Sequence, residues 1–271
     1  MQVTSGHKTG SSRDFESQVL SVEPIMGDAF LVKVSAPPAV VQRLRAGQFF
    51  NITCRFPSSM DPLLRRPYSV YRTDREESSL TFLVRPFGRG SAWLATRQPG
   101  EVLSLLGPLG NWFEIPSRAQ RVVMVAGGVG AAPLVMLSDE AAAKGIDVAF
   151  IMGAADEAGL LAASELSHKV EYIAATDDGS RGHRGLATEV VADFVPWADR
   201  IFACGPEPMY RTLRTVVDPL RLHRKPKIQI SVERGMACGI GACLGCVVET
   251  HRGMITSCVQ GPVFDLDEVI L

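Results

Sequence analysis

The chain has 271 residues, with 28 basic and 29 acidic side chains, a formal net charge of −1 and 46% hydrophobic residues. This length suits about two domains of ordinary size, and a charge near zero argues against nucleic acid as the main partner. The longest uncharged apolar run, 122–137, is broken by glycines and Pro133 and is shorter than the roughly 18 residues of a membrane span, so we expect no membrane segment.

Residues 1–14 are polar and rich in Ser and Gly. They lack the apolar segment that a secretion signal requires, so we expect a flexible leader and a cytoplasmic protein.

The stretch 15–118 contains short apolar segments separated by Pro and Gly turns. Their close spacing favours an antiparallel β-barrel or sandwich. The predicted strands are 18–22, 29–35, 48–54, 68–72, 80–85 and 101–106.

One of these strands carries the sequence Arg66-Pro67-Tyr68-Ser69. Alternation places Arg66 and Tyr68 on the same face, where a guanidinium suits a pyrophosphate and a tyrosine ring can cover an isoalloxazine. The glycine-rich stretch 88–91 precedes a short helical segment and offers a second seat for phosphate. Two such sites favour a flavin dinucleotide; the alternative is a basic edge strand with a half-buried tyrosine.

From 119 to 222 apolar strands alternate with helix-like stretches, a pattern typical of an α/β domain with a parallel sheet. The predicted strands are 122–126, 148–152, 170–175 and 200–203, and the predicted helices are 131–143, 186–195 and 207–217. The last region, 223–271, is rich in Gly and Cys and too short for a large core of its own, so it needs a staple or a cofactor.

Two glycine turns in the α/β region indicate a nicotinamide nucleotide site. The first opens a helix, so its amides can receive a pyrophosphate, although its spacing is not the Rossmann G-x-G-x-x-G; the alternative is a tight turn without a ligand. The second follows the strand 200–203, where Cys204 alone would more often be a small buried residue. The candidate residues are Gly127, Gly128, Val129, Gly130, Cys204, Gly205 and Pro206.

The second predicted strand of this region ends next to Asp156 and Glu157. Their negative charges would repel a ribose 2′-phosphate, so we expect NAD rather than NADP.

Four of the six cysteines have the spacing Cys238-x4-Cys243-x2-Cys246-x11-Cys258. Four thiolates can hold zinc or a [2Fe-2S] cluster, and the C-x4-C-x2-C opening is the plant-type ferredoxin pattern, whereas zinc ribbons usually pair two short C-x2-C knuckles. Intervening glycines allow a tight loop whose amides point at the sulfurs. A cluster is favoured, with zinc or four unrelated thiols as alternatives.

Taken in order, several motifs resemble those of the ferredoxin-NADP reductase superfamily: R-x-Y-S at 66–69, G-x-G-S at 88–91, GPLG at 107–110, GGVGAAP at 127–133 and CGPEPM at 204–209. The C-terminal ERGMACGIGACLGC, with the nearby Cys258 and GPVFD at 261–265, is similar to the electron-transfer subunits of class 1B dihydroorotate dehydrogenase.

This resemblance implies FAD in the barrel, NAD(H) as co-substrate in the α/β domain and a [2Fe-2S] cluster at the C-terminus. It also implies an FMN-containing catalytic subunit as partner, in a heterotetramer of two plus two. The family's FAD contacts map onto Arg66, Pro67, Tyr68, Ser69, Leu83, Val84, Arg85, Gly90 and Ser91.

By the same resemblance, electrons would pass from dihydroorotate through the partner's FMN, the cluster and FAD to NAD+ in pyrimidine biosynthesis. No side chain of this chain is required as an acid or base, because the dihydroorotate chemistry belongs to the partner. One alternative is the small subunit of an NADH-ferredoxin/NADP oxidoreductase or of a sulfur-reducing hydrogenase complex. Another is a non-catalytic nucleotide-binding module with structural zinc.

Overall fold

The computed structural model describes residues 13–220 and 226–271. Its N-terminal part is a closed barrel of antiparallel strands in the order β1-β2-β5-β4-β3-β6, which confirms the predicted barrel. The strands are β1 (Arg13–Met26), β2 (Ala29–Ser35), β3 (Phe49–Ile52), β4 (Arg66–Asp74), β5 (Ser79–Val84) and β6 (Val102–Leu109), with helices α1 (Pro38–Val41) and α2 (Arg89–Ala95) between them.

The predicted leader lies outside the described residues except for positions 13 and 14. Those two belong to β1, because their backbones pair with Gly107 and Leu106 of β6 and such pairing does not require apolar side chains.

Side chains that alternate along the strands fill the barrel. In β3, Phe50 points inward and packs edge to face on Phe15, with ring centroids 6.0 Å apart, and on Phe82 at 5.8 Å. A Cβ on Gly107 would lie 2.2 Å from the Phe50 ring, so this close approach of the backbone requires glycine. Because successive strand residues face opposite sides, Phe49 and Asn51 point out of the barrel.

The second part is a sheet with helices, as predicted. Its parallel strands are β7 (Arg121–Gly127), β8 (Asp147–Ala154), β9 (Val170–Thr176), β10 (His183–Arg184) and β11 (Arg200–Cys204), and its helices are α3 (Ala131–Ala143), α4 (Ala187–Phe194) and α5 (Glu207–Leu220). Short 3-10 turns lie at Gly128–Gly130, Glu157–Gly159, Ala163–Glu165 and Leu266–Glu268.

The C-terminal region completes this sheet. Its strand β12 (Lys227–Ser231) runs parallel to β11, while β15 (Val263–Asp265) pairs with β12 in the antiparallel sense, giving the order β10-β9-β8-β7-β11-β12-β15. Between them, β13 (Val247–Thr250) and β14 (Gly253–Thr256) form a separate hairpin. A region too short for its own core thus shares the core of the sheet.

Helix α3 packs between the sheet and strand β4, so that one hydrophobic core runs from the barrel into the α/β part. This packing opens a cleft between β4 and the carboxyl ends of the parallel strands. In the part of the chain that the structure describes, no helix is long and apolar enough to cross a membrane.

Candidate functional site

The cleft has a volume of about 1360 Å³ and brings most of the predicted cofactor residues together. The barrel supplies one wall and the glycine turns of the α/β part supply the opposite one. The predicted residues on these walls are Arg66, Pro67, Tyr68, Ser69, Leu83, Arg85, Gly90, Ser91, Gly127, Gly128, Val129, Gly130, Gly205 and Pro206.

Two predicted cofactor residues, Val84 and Cys204, do not line the cleft. They are 0% and 1% exposed, respectively. Val84 alternates with Leu83 along β5, so its side chain enters the barrel core while Leu83 reaches the cleft. Cys204 ends β11 with its thiol beside Ser231 and Tyr210, and burial raises the pKa of that thiol well above its usual range. Cys204 therefore lies behind the cleft wall.

The barrel wall is built on β4, whose residues 66–69 are all half-buried. The Arg66 guanidinium donates to the Leu64 carbonyl at 2.8 Å, which holds the cation on this wall. Burial, and then the neighbouring Cys54 thiol, raises the pKa of the Tyr68 phenol, so the ring stays neutral. A Cβ on Gly90 would lie 3.3 Å from the Cys54 Cβ and 3.4 Å from the Arg66 Cγ, so a side chain there would crowd both.

The Ser91 hydroxyl is occupied within its own turn. It accepts hydrogen bonds from the backbone amides of Phe87 at 2.8 Å and Gly88 at 3.1 Å, and it donates to the Gly88 carbonyl at 3.1 Å. These bonds fix the start of α2 and leave the Phe87 ring 98% exposed on the cleft wall. Sequence reasoning did not single out Phe87, since an aromatic residue between turn residues carries no periodic signal.

The first glycine turn follows β7 as the 3-10 turn Gly128–Gly130 and leads into α3. A Cβ on Gly130 would lie 2.2 Å from the Cys204 carbonyl oxygen, so the two turns touch backbone to backbone. Gly128 has φ +54° and no neighbour within 4 Å of a Cβ built on it, so it faces open space. The two turns thus pack closely against each other at Gly130, while Gly128 faces the open cleft.

Residues 231–236 also line the cleft, which the sequence did not indicate. They follow β12, and only the order of strands in the sheet places them beside the glycine turns. Among them, partial desolvation in the cleft raises the pKa of the Glu233 carboxyl. Asp156 and Asp177 lie on the α/β wall, with the Asp156 carboxylate accepting from the Gly159 amide at 3.0 Å.

The four clustered cysteines receive backbone hydrogen bonds at their sulfurs, as predicted from the glycine-rich loop. The Cys258 Sγ accepts from the Gly241 amide at 3.2 Å, and the Cys246 Sγ accepts from the Cys258 amide at 3.4 Å. The Cys238 and Cys243 sulfurs accept from backbone amides at 3.4 to 3.5 Å. Such donors suit sulfur atoms that carry negative charge.

The pKa values of two of these thiols shift in opposite directions. Although desolvation acts to raise it, the pKa of Cys238 is lowered to about 6, because the Ile240 and Cys243 amides donate to its sulfur. Burial, and then the adjacent Cys246 thiol, raises the pKa of Cys258 to about 12. Of the four cysteines, Cys243 is exposed, Cys238 is half-buried, and Cys246 and Cys258 are buried.

The Cys238 thiol has Cys243 as a side-chain neighbour, and the Cys258 thiol interacts with both Cys246 and Cys238. Among residues 13–220 and 226–271, no group of three or more His, Cys, Asp or Glu side chains is arranged to hold a metal ion. A [2Fe-2S] cluster takes two thiolates on each iron, whereas structural zinc needs four ligands around one ion. Four thiols whose sulfurs accept hydrogen bonds from backbone amides are a donor set that fits a [2Fe-2S] cluster.

The cluster segment packs directly against the cleft. Phe49 and Met236 line the cleft, and the same two side chains pack in the small apolar group that contains Cys246 and Cys258. Phe49 and Met236 therefore connect the cleft to the apolar group that contains Cys246 and Cys258.

Two family models match the chain. Residues 17–113 match the oxidoreductase FAD-binding domain, and residues 233–270 match the iron-sulfur cluster binding domain of dihydroorotate dehydrogenase B. The barrel and the four-cysteine segment correspond to these two matches.

Curated relatives match over nearly their whole length. The electron transfer subunit of dihydroorotate dehydrogenase B (NAD(+)) from Desulforamulus reducens is 34% identical over 96% of this chain and 99% of its own. The subunit of the same name from Bacillus caldolyticus is 37% identical over 86% and 90%.

Solved structures show the same fold. An NADH-dependent reduced ferredoxin-NADP oxidoreductase studied for flavin-based electron bifurcation aligns with a TM-score of 0.82 and 26% identity, over 94% of this chain and 89% of its own. The ferredoxin reductase of carbazole 1,9a-dioxygenase aligns with a TM-score of 0.68 and 22% identity, over 79% and 68%. From the barrel, the cysteine segment and these full-length relatives together, we conclude that the chain belongs to the family of dihydroorotate dehydrogenase B electron transfer subunits.

Proposed function

We propose that the chain delivers to NAD+ the electrons that a catalytic partner removes from dihydroorotate, with FAD in the cleft and a [2Fe-2S] cluster on the four cysteines. The observation that carries this proposal is the shared packing of Phe49 and Met236, which line the cleft and belong to the same apolar group as Cys246 and Cys258. Two redox sites that share packed side chains suit electron transfer between them.

FAD supplies the exchange between two-electron hydride transfer with a nicotinamide and one-electron transfer with an iron-sulfur cluster. The residues of this chain bind and orient. Arg66 offers a positive charge to the pyrophosphate, Tyr68 offers an aromatic face, and Gly90 keeps the wall free of a side chain. Ser69 is half-buried on the same strand and is suited to hydrogen bond with the flavin ring.

The glycine turns at 127–130 and 205–206 are the proposed NAD(H) site. Their backbone amides lie at the carboxyl ends of parallel strands, where such sheets bind nucleotides. Asp156 and Asp177 on the adjacent wall disfavour a 2′-phosphate by charge repulsion, which supports NAD over NADP. Cys204 affects this site through its backbone contact with Gly130 rather than as part of the cleft wall.

The proposed partner is the FMN-containing catalytic subunit, in a heterotetramer of two plus two in the cytoplasm, acting in pyrimidine biosynthesis. The curated relatives are named electron transfer subunits, which implies a catalytic subunit elsewhere. This chain therefore acts as an NAD-dependent oxidoreductase subunit that does not oxidise dihydroorotate alone.

Co-purification with the partner tests the proposal. The complex should show flavin and iron-sulfur absorption and should reduce NAD+ with dihydroorotate. Neither subunit alone should catalyse that reduction, although this chain alone should keep its own flavin and iron-sulfur absorption. If NADH reduces a ferredoxin or NADP and the preparation does not oxidise dihydroorotate, the result would instead favour the function of an NADH-dependent ferredoxin-NADP oxidoreductase, such as the similar solved structure. A colourless, iron-free preparation after anaerobic isolation would contradict both.

A further inference from the structure

Asn51 is a buried polar residue whose side chain has no partner. It lies in β3 with 0% exposure, and within the described residues neither its Oδ1 nor its Nδ2 forms a hydrogen bond. A buried polar group without a hydrogen-bond partner destabilises the fold, so its retention calls for a ligand or an ion.

The strand geometry directs this side chain toward the cluster segment. Phe49 and Asn51 share the outer face of β3, and Phe49 packs in the apolar group that contains Cys246 and Cys258. A Cβ on Gly239 would lie 2.5 Å from the Asn51 Nδ2. Because Gly239 follows Cys238, the carboxamide faces the loop that carries the first two cluster cysteines.

The same residue connects to the flavin wall. In the barrel, Asn51 pairs with Pro67 of β4 on one side and with Leu106 of β6 on the other. Pro67 lines the cleft, while Leu106 packs in the apolar group around Cys246 and Cys258. Asn51 therefore lies between the two redox sites.

We propose that the Asn51 carboxamide donates a hydrogen bond from Nδ2 to a sulfur of the cluster held by Cys238, Cys243, Cys246 and Cys258, and so raises its reduction potential. This inference rests on the proposed function. Every cysteine sulfur already accepts a hydrogen bond from the backbone of the loop. Asn51 adds a donor from the barrel, and hydrogen bonds to the sulfurs are one of the means by which a protein sets a cluster's potential. The bond is stronger to the reduced cluster, which carries more negative charge.

The test is a potentiometric titration of the holoprotein, with the cluster followed by its EPR signal. Asn51→Leu keeps the size of the side chain and removes the donor, and we expect its cluster to be about tenfold harder to reduce, a negative shift of about 59 mV for a one-electron couple. Ser79→Ala is the matched control, because Ser79 is equally buried in the barrel and its hydroxyl also has no partner in the described structure, yet it lies on β5. The control should keep the wild-type potential.

An unshifted potential in Asn51→Leu, with full iron and flavin content, would overturn the inference. If that variant does not retain its cluster, a measurement on the wild-type protein tests the inference instead. Asn51 and Asn111 are the two asparagines of the chain, so asparagine labelled with 15N in its side-chain amide should give a coupling to the reduced cluster in pulsed EPR. The coupling should persist in Asn111→Gln, and its absence would contradict the proposal. A preparation without any cluster signal contradicts the proposed function instead.

Discussion

The Arg72 Nε and the Asp139 Oδ2 lie 2.8 Å apart across the junction between the barrel and the sheet. Arg72 also pairs with Glu165 at 3.2 Å, and the Tyr71 hydroxyl donates to the same carboxylate at 2.8 Å. Arg72 belongs to the strand that carries the flavin wall, and Asp139 to the helix that follows the first glycine turn. These contacts fix how the two walls of the cleft face each other.

Arg72→Met should therefore loosen the junction. The Arg72 and Asp139 side chains are 34% and 39% exposed, so solvent screening limits the ion pair to less than about 1 kcal/mol. The bonds to Glu165 are lost as well. We therefore expect the free energy of unfolding to fall by about 1–2 kcal/mol in total, which lowers Tm by roughly 3–6 °C. Thermal unfolding of the holoprotein measures it.

Lys33→Met is the control for this change, because the ion pair of Lys33 with Glu77 joins two residues of the barrel and does not cross to the sheet. It should lower Tm by less than Arg72→Met and leave the rate of flavin reduction by NADH unaltered. An equal loss of Tm in both variants would show that the junction contacts carry no special stability.

Arg66→Gln should weaken FAD retention. Arg66 lines the cleft, and a charge-assisted hydrogen bond to phosphate contributes about 1.5–3 kcal/mol, so the FAD dissociation constant should rise about 10- to 100-fold. Arg65→Gln is the matched control: the Arg65 guanidinium pairs with Asp14 at 2.7 Å and Ser104 at 2.9 Å, outside the cleft. Flavin-to-protein ratios after dilution and desalting compare the two. Equal flavin loss in both would remove Arg66 from the FAD site.

Gly130→Ala should disrupt the nicotinamide end of the cleft. The new methyl group would lie 2.2 Å from the Cys204 carbonyl oxygen, so one of the two turns must move. We expect at least a tenfold loss of kcat/KM for NADH with FAD content retained. In Gly145→Ala, outside the cleft, the methyl group meets nothing within 4 Å, and only the left-handed φ of +71° opposes it, at a cost of about 1–2 kcal/mol. If Gly145→Ala impaired NADH turnover as much as Gly130→Ala, the contact with Cys204 would not be the cause.

The features that could be predicted from the sequence are those with a local physical cause. Strand spacing, the glycine turns and the four-cysteine spacing depend on residues close together in the chain, and the structure contains the barrel, the alternating strands and helices, and the amide-to-sulfur bonds. Helix α3 begins and ends at the predicted residues, because a glycine turn precedes it and Gly145 follows it.

Other features depend on contacts between distant segments. Whether Leu83 or Val84 reaches the cleft follows from the face that β5 turns inward, and the sequence alone does not specify that face. Glu233 reaches the cleft only because β12 joins the sheet beside β11. In the sequence, Asn51 is an ordinary polar residue of an alternating strand. Its burial and its closeness to Gly239 depend on the folded structure.

Cys54 should resist alkylation in the folded protein at alkaline pH. It lies behind the flavin wall with 0% exposure, and burial raises the pKa of its thiol to about 12, against a lowering effect of the Tyr68 hydroxyl. The thiolate is the reactive form, so at pH 8.5 only roughly 0.03% of Cys54 is ionised, and this fraction rises tenfold for each pH unit. Iodoacetamide followed by peptide mass spectrometry should leave Cys54 unmodified before unfolding in urea and modify it afterwards. Cys243, which is exposed, should react in iron-free folded protein under the same conditions. Modification of Cys54 at the rate of Cys243 would mean that the wall at Tyr68 opens to solvent. That result would contradict the buried, neutral thiol behind the flavin site.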